Sequence, residues 1–219
     1  MIIRASAELT DLIIQCSTPT ASHIVALGEK AALFDAGLEV HVDLLLEQIV
    51  SVYDSKDYVG SLFLTHAHFD NISGVAKLKK ECKNLRIFCG EETAKVLSDI
   101  SYLERAFEFS KQASASIANS PEHSDFADWK KAFSGITPIE DLAVLDLGLG
   151  LTVRTIYTPG HTQDSVSYQI LPDSVLVTGE SLGIYHSSGT PTPSVTYNIE
   201  SYKKSLINSY DLDSKVISF

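Results

Sequence analysis

The sequence has little cysteine, little positive charge and no long apolar run. Its three cysteines, Cys16, Cys82 and Cys89, show no CxxC spacing. This argues against a disulfide framework and against a thiolate zinc site, and it predicts reduced core residues. Only 17 basic residues stand against 28 acidic ones, a net charge of −11. Because this charge repels phosphate backbones and anionic membrane surfaces, we expect neither nucleic acid nor membrane as a partner.

The amino-terminal segment does not have the residue pattern that is typical of a targeting signal. Residues 1–17 carry Glu8 and Asp11 close to their apolar stretch and contain no extended apolar core. We therefore expect no signal peptide, no membrane span and a cytoplasmic location. The 219 residues, 44 % of them hydrophobic and 21 % charged, are enough to bury a full core. They predict a single domain over residues 1–219.

Apolar runs and turn residues give a coarse order of elements. Strands are predicted at 12–16, 23–27, 31–37, 61–66 and 85–90, and helices at 38–53 and 72–82. The segment from 91 to about 133 is polar with helical spacing and predicts a helical insertion. After Pro138 the chain returns to strands, and Asn198 is placed to cap a late helix.

Two imidazoles and a carboxylate alternate directly after an apolar run, in LTHAHFDN at residues 64–71. Alternation in an extended chain directs His66, His68 and Asp70 to one side. Since they leave a strand end together, a short loop could bring both imidazoles to one cation. For this motif alone, a polar loop whose histidines pair with neighbours is an open alternative.

Two further motifs occupy similar positions at strand ends. In TPGHTQDS a turn at Pro159 and Gly160 precedes His161, which aims a third imidazole. In VLVTGES an apolar strand and Gly179 precede Glu180, and a buried carboxylate there needs a partner such as a cation. The order and the shared setting of the three motifs favour a metal site.

These motifs resemble those of the metallo-β-lactamase superfamily, whose pattern is Thr-His-x-His-x-Asp-His, then Gly-His-Thr-x-x-Ser, then Gly-Asp. This chain has THAHFDN, GHTQDS and GE in that order, preceded by ALFDAG, which is similar to the family's early strand and turn. The resemblance implies an α+β fold, an αββα sandwich of two mixed β-sheets flanked by helices. With the helical insertion at about 91–133, the chain is similar to the thioesterase-like branch.

The resemblance also implies one or two divalent metal ions, with zinc expected first and iron or manganese as alternatives. The ligands that it implies are His66, His68, Asp70, His161 and Glu180. Asp70 is also the implied catalytic residue, which would orient water or hold the second ion. Asp35, in FDAG, would orient the ligand loop through a hydrogen bond.

The pattern departs from the family at the second metal. Asn71 stands where the family has a histidine, and an amide oxygen binds borderline metals less tightly than imidazole. The family's final histidine follows a last apolar strand, whereas this sequence reaches Phe219 after KVIS. We expect either a longer natural chain or an incomplete second site. His186 is a candidate second-site or substrate contact, or else a histidine of a surface loop.

The function implied by the resemblance is hydrolysis of an activated acyl compound, a thioester, lactone or ester, by a metal-bound hydroxide. The partner would be a small-molecule substrate, and a homo-oligomer is left open. The alternative is a degenerate binding or regulatory protein with a single ion or none, which Asn71 and Glu180 motivate. A redox role is disfavoured. The di-iron relatives usually have glutamate at the position of His68 and carry a flavin domain, and neither feature appears in this sequence.

Overall fold

The computed structural model describes residues 7–117, 123–185 and 191–218. The first part of the chain builds one mixed sheet in which the strands lie side by side in sequence order. Neighbours pair antiparallel among the first four strands and parallel from the fourth onward. The strands of this first sheet are β1 (Ala7–Thr10), β2 (Ile13–Ser17), β3 (Ser22–Leu27), β4 (Ala31–Phe34), β5 (Val59–Leu64), β6 (Arg86–Gly90) and β7 (Ile136–Ile139).

The later part of the chain builds the second sheet and a small ladder. Its strands are β8 (Val144–Gly148), β9 (Leu151–Tyr157), β10 (Val166–Leu171), β11 (Val175–Val177), β12 (Ile184–Tyr185), β13 (Pro191–Thr192) and β14 (Val216–Ser218). Among the described residues the second sheet runs in the order β14-β11-β10-β9-β8, and β12 pairs with β13 alone. Only the pairing of β11 with β14 is parallel within that sheet. The predicted pair of mixed sheets is confirmed.

Helices flank the sheets. They are α1 (Val42–Tyr53), α2 (Phe69–Ile72), α3 (Val75–Glu81), α4 (Glu91–Ser98), α5 (Ile100–Ala115), α6 (Phe126–Phe133) and α7 (Ile199–Tyr210). The predicted helical insertion corresponds to α4, α5 and α6, and Trp129 of α6 is fully buried against it and the first sheet. The side chain of Asn198 accepts a hydrogen bond from the Ser201 N–H and caps α7, as predicted. Within the described residues, no helix is long and apolar enough to cross a membrane.

Strand β5 shows why its sequence is a continuous apolar run. Successive side chains point to opposite faces, so Leu62 and Leu64 enter the core under the helices while Phe63 enters the core between the sheets. Phe63 stacks between Phe34 and Phe88, with ring centroids 5.2 and 5.1 Å away. Burial on both faces fixes the strand whose carboxyl end carries the first two histidines.

Two helix predictions differ from the structure. The helix expected from residue 38 begins at Val42, after a short 3-10 turn at Glu39–His41. The helix expected at 72–82 is α3, which begins later, at Val75, while Ile72 ends the preceding short helix α2. The reason is local: the Gly74 N–H donates to Gly37 O at 2.9 Å, in the turn after β4, instead of continuing the α2 ladder. The three cysteines are buried and unpaired, as expected.

Candidate metal centre

Four side chains converge at one end of the two sheets. His66 and His68 follow β5, His161 follows β9, and Glu180 follows β11. One ligand atom from each lies within 4.8 Å of every other. The first sheet therefore contributes two imidazoles, and the second sheet contributes an imidazole and a carboxylate.

Short distances separate the ring nitrogens and the carboxylate oxygen that face the centre of the cluster. His66 Nε2 lies 3.0 Å from His68 Nδ1, and His161 Nε2 lies 3.1 Å from the same His68 atom. Glu180 Oε2 lies 3.1 Å from His161 Nε2. The three rings meet nearly edge to face, at interplanar angles of 73°, 86° and 88°. Nitrogen lone pairs, rather than ring faces, thus point at a common centre.

A chain of hydrogen bonds through Thr65 and Asp35 holds the outer nitrogen of His66, Nδ1. The Thr65 hydroxyl donates to Asp35 Oδ2 at 2.7 Å, and it lies 3.0 Å from His66 Nδ1. Since the Thr65 proton is directed to Asp35, His66 Nδ1–H donates to Thr65 Oγ1. This leaves Nε2 of His66 with a free lone pair directed into the cluster.

The outer nitrogen of His161 is held by Ser194. His161 Nδ1 lies 3.0 Å from Ser194 O and 2.9 Å from Ser194 Oγ. A carbonyl only accepts, so Nδ1 carries the proton and Nε2 of His161 faces Glu180 unprotonated. The Ser194 hydroxyl also donates to Glu180 Oε2 at 3.2 Å, so one serine orients two ligands.

Burial disfavours the protonated form of His66 and of His161. It holds the pKa of His66 well below its ordinary value, and the neighbouring His68 and His161 lower it further. Burial also lowers the pKa of His161, against the opposing effect of the Glu180 carboxylate. Neutral imidazoles and a carboxylate are the donors that zinc, iron and manganese accept. The cluster could hold a metal ion, and its donor set fits one.

Asp35 lies beneath this site at the end of β4. Its Oδ1 accepts the Thr65 main-chain N–H at 2.8 Å. Burial raises the pKa of Asp35 to about 7, although the two Thr65 donors act against that rise. Asp35 therefore contacts the ligand loop through Thr65 and reaches His66 only indirectly.

Glycines make room at two of the ligand turns. Gly179, directly before Glu180, has φ +52°, and a Cβ there would lie 2.5 Å from Thr65 Oγ1. Gly160, directly before His161, would place a Cβ 2.3 Å from Tyr202 Cα. A side chain at either position would displace a ligand turn.

The structure places the other predicted residues as follows. Asp70 is exposed in α2 and lies outside the four-residue cluster. Its carboxylate makes no hydrogen bond or ion pair within the described ranges, and its metal and catalytic roles stay predictions. Asn71 Nδ2 lies 3.2 Å from His66 Nε2, at the edge of the cluster. His186 lies outside the described residues.

Thr65 and Ser194 were not predicted as parts of the site. Thr65 is the first residue of the THAHFDN motif, so its position was visible, but its hydrogen bond to Asp35 was not. Ser194 lies 33 positions after His161 and belongs to none of the motifs described above. No pattern in a single sequence indicates such a contact.

Comparison with known proteins was made on sequence and on structure. The family model of the metallo-beta-lactamase superfamily matches residues 18–219. The metallo-beta-lactamase fold-containing protein ST1585 of Sulfurisphaera tokodaii is 26 % identical over 202 residues, which are 91 % of this chain and 71 % of that protein. The crystal structure of ST1585, from Sulfolobus tokodaii, matches with a TM-score of 0.64 at 25 % identity, over 90 % of this chain and 72 % of the other.

Two further proteins are similar to this chain over a smaller part of their length or at lower sequence identity. Lactamase-like protein nscB of Neosartorya fischeri is 26 % identical over 164 residues, 74 % of this chain and 38 % of that protein. MEM-A1, a subclass B3 metallo-beta-lactamase from a soil metagenome library, has a TM-score of 0.68 at 19 % identity and covers 97 % of this chain and 77 % of its own. That likeness shows the fold alone. Because the family model spans nearly the whole sequence, the chain belongs to the metallo-beta-lactamase superfamily.

Proposed function

We propose that the protein is a metal-dependent hydrolase of activated acyl compounds, namely thioesters, lactones or esters. One observation carries the proposal: three imidazole nitrogens and a carboxylate oxygen, from both sheets, lie within 4.8 Å of one another. Membership in a superfamily that is mostly hydrolytic supports this reaction class.

The residues divide into those that would hold the ion and those that orient them. The proposed ligands are His66, His68, His161 and Glu180. A divalent cation held there would supply a Lewis acid for the substrate carbonyl and lower the pKa of water to about 7. Thr65 holds His66 in the tautomer that presents Nε2, and Ser194 does the same for His161. These contacts prepare the donor set before any ion binds.

Asp70 is proposed to act at the outer side of the site. It is exposed in the first turn of α2, two residues after His68. A carboxylate there could accept a proton from water or contribute to a second ion. We propose one firmly bound ion, zinc first, and a weaker second position, because Asn71 supplies an amide in place of imidazole.

Metal analysis combined with an activity panel tests the proposal. Purified protein would be loaded with zinc, freed of excess ion, and assayed for metal content and for hydrolysis of thioesters, lactones, esters and phosphodiesters. We expect at least one ion per chain, together with turnover of an acyl substrate. Chelation should abolish this turnover, and the His68→Ala variant should lack both the ion and the activity.

A second candidate function is binding or regulation without catalysis. The observation that favours it is Asn71, whose amide nitrogen lies 3.2 Å from His66 Nε2 where a second metal would need a donor. One firmly held ion with no turnover of any panel member would support this candidate and overturn the hydrolase. Equal metal content in wild type and His68→Ala would overturn the metal centre itself.

A further inference from the structure

The two peptide groups that join His66 to His68 are each held by a hydrogen bond from outside the loop. The Ala67 N–H donates to Asp164 Oδ2 at 2.9 Å, and the Ala67 carbonyl accepts from the Tyr102 hydroxyl at 2.8 Å. Ala67 is only 2 % exposed, so water cannot easily replace either partner. Loss of one partner would leave a buried main-chain group unsatisfied, which is costly.

The two partners come from separate parts of the fold. Asp164 lies three positions after His161, in the loop that carries the third imidazole, and its own carbonyl accepts from Thr93 Oγ1 of α4 at 3.0 Å. Tyr102 lies in the first turn of α5, within the helical insertion. The His161 loop therefore holds the His66–Ala67 peptide, and the helical insertion holds the Ala67–His68 peptide.

Asp164 has few other contacts that would account for a carboxylate at this position. Its side chain is buried, with the residue 7 % exposed. Within the described part of the chain, the hydrogen bond that its carboxylate accepts is the one from Ala67. A buried carboxylate is costly without a matched donor. If the side chain at position 164 only had to fill space, an apolar residue would be more favourable there than a carboxylate.

We propose that Asp164 and Tyr102 are positioning residues that set the separation of His66 and His68 for metal binding. The inference rests on the proposed metal centre. Two peptide planes separate the histidines, and rotation of either one would change the position of one ring relative to the other. The hydrogen bond to the Ala67 N–H restrains the His66–Ala67 plane, and the hydrogen bond to the Ala67 C=O restrains the Ala67–His68 plane, so the inward nitrogens stay close to their spacing of 3.0 Å.

The test uses cobalt(II) as the probe, because its visible absorption reports both binding and coordination geometry. The variants are Asp164→Ala, which removes the acceptor, Asp164→Asn, which keeps an oxygen acceptor, and Tyr102→Phe, which removes only the hydroxyl. Matched controls are Asp141→Ala, which removes an acceptor of the Tyr157 N–H, and Tyr157→Phe, which removes a hydroxyl bound to Ile139 O. Thermal unfolding of each metal-free protein measures the purely structural cost.

We expect Asp164→Ala and Tyr102→Phe to weaken cobalt binding by about 10-fold to 100-fold, as for other residues that orient metal ligands. Their visible spectra should also change, whereas Asp164→Asn and both controls should keep wild-type affinity and spectrum. Wild-type affinity in Asp164→Ala and Tyr102→Phe would overturn this inference alone, as would an Asp164→Asn as weak as Asp164→Ala. A wild-type protein that binds no cobalt would overturn the proposed metal centre as well.

Discussion

Thr65 connects to Asp35 through two hydrogen bonds, one from its main-chain N–H at 2.8 Å and one from its hydroxyl at 2.7 Å. The same hydroxyl lies 3.0 Å from His66 Nδ1. The end of β4 is thereby joined to the end of β5 directly beneath the first ligand. Thr65 therefore links the ends of these two strands and also selects the tautomer of His66.

Replacing Thr65 by valine should damage both roles. Thr65→Val leaves a carboxylate oxygen of Asp35 and the N–H of His66 without partners, so we expect the free energy of unfolding to fall by about 1–3 kcal/mol. Zinc affinity should fall by about 10-fold to 100-fold. Thr65→Ser is the matched control because it keeps the hydroxyl. Urea unfolding and competition with a zinc chelator measure the two effects, and equal zinc affinity in the Val and Ser variants would contradict the role of this hydrogen-bond chain.

Asn71→His should strengthen the second metal position. An imidazole there adds a donor that zinc prefers to an amide, at a residue already in contact with His66. We expect the number of ions retained per chain to rise above the wild-type value. Elemental analysis after gel filtration measures it, with Asn71→Gln as the control that changes size without adding a nitrogen donor. An unchanged ion count in Asn71→His would count against a second position at this residue.

Glu39 ties the helical insertion to the turn before α1. It is 2 % exposed, and its Oε1 accepts from the Ser124 N–H at 2.8 Å and from the Ser124 hydroxyl at 2.5 Å. Its Oε2 lies 3.4 Å from His123 Nε2. Glu39→Ala should therefore lower the free energy of unfolding by about 1–3 kcal/mol, because it leaves half-buried donors of Ser124 and His123 unpaired.

Chemical denaturation measures the Glu39 effect. Glu104→Ala on α5 is a suitable control, because Glu104 is exposed and a change there should stay within about 0.5 kcal/mol. Equal stabilities of the two variants would show that the buried contact contributes little.

His23 should give the protein a sensitivity to acid. Burial lowers the pKa of His23 to about 4, and its Nδ1–H donates to Asp35 O at 3.2 Å. In the unfolded chain the pKa is about 6.5. As the pH falls from 6.5 towards 4, the unfolded state binds a proton that the folded state does not. The contribution of His23 to stability is therefore complete above pH 6.5 and is lost below it, by about 3 kcal/mol in total.

Comparison with His23→Asn isolates that contribution. Asparagine keeps a donor near Asp35 O but does not titrate, and other titratable groups, such as the neighbouring His41, are common to both proteins. We expect the difference in free energy of unfolding between wild type and variant to shrink as the pH falls from 7 to 4. Urea denaturation at several pH values measures it, and parallel pH profiles would refute the assignment.

The sequence predicted the parts of the site that are encoded locally. His66, His68, His161 and Glu180 each follow an apolar run or a glycine turn, and strand ends bring such residues together. The helical insertion followed from the same patterns, whereas the pair of mixed sheets followed from the family resemblance. The limit of this reasoning is the break between α2 and α3, where a main-chain bond from Gly74 to Gly37 overrides helical spacing.

The residues that orient the ligands were mostly beyond sequence reasoning. Ser194, Asp164 and Tyr102 act through hydrogen bonds to partners that are distant along the chain. Asp164 lies in the GHTQDS motif, but nothing in that motif indicates its contact with Ala67. Asp35 was found because it lies in a short motif, yet the identity of its partner in the ligand loop, Thr65, required coordinates.

The ligands come from two sheets, and His68 and His161 are 93 positions apart in the chain. An ion shared between them would bind the folded chain, where the two loops meet, far better than the unfolded chain, where they are far apart. It would therefore stabilise the fold by mass action, to an extent that depends on the free ion concentration. Each sheet would then be joined to the other at one end through the ion, and a chelator would remove that link.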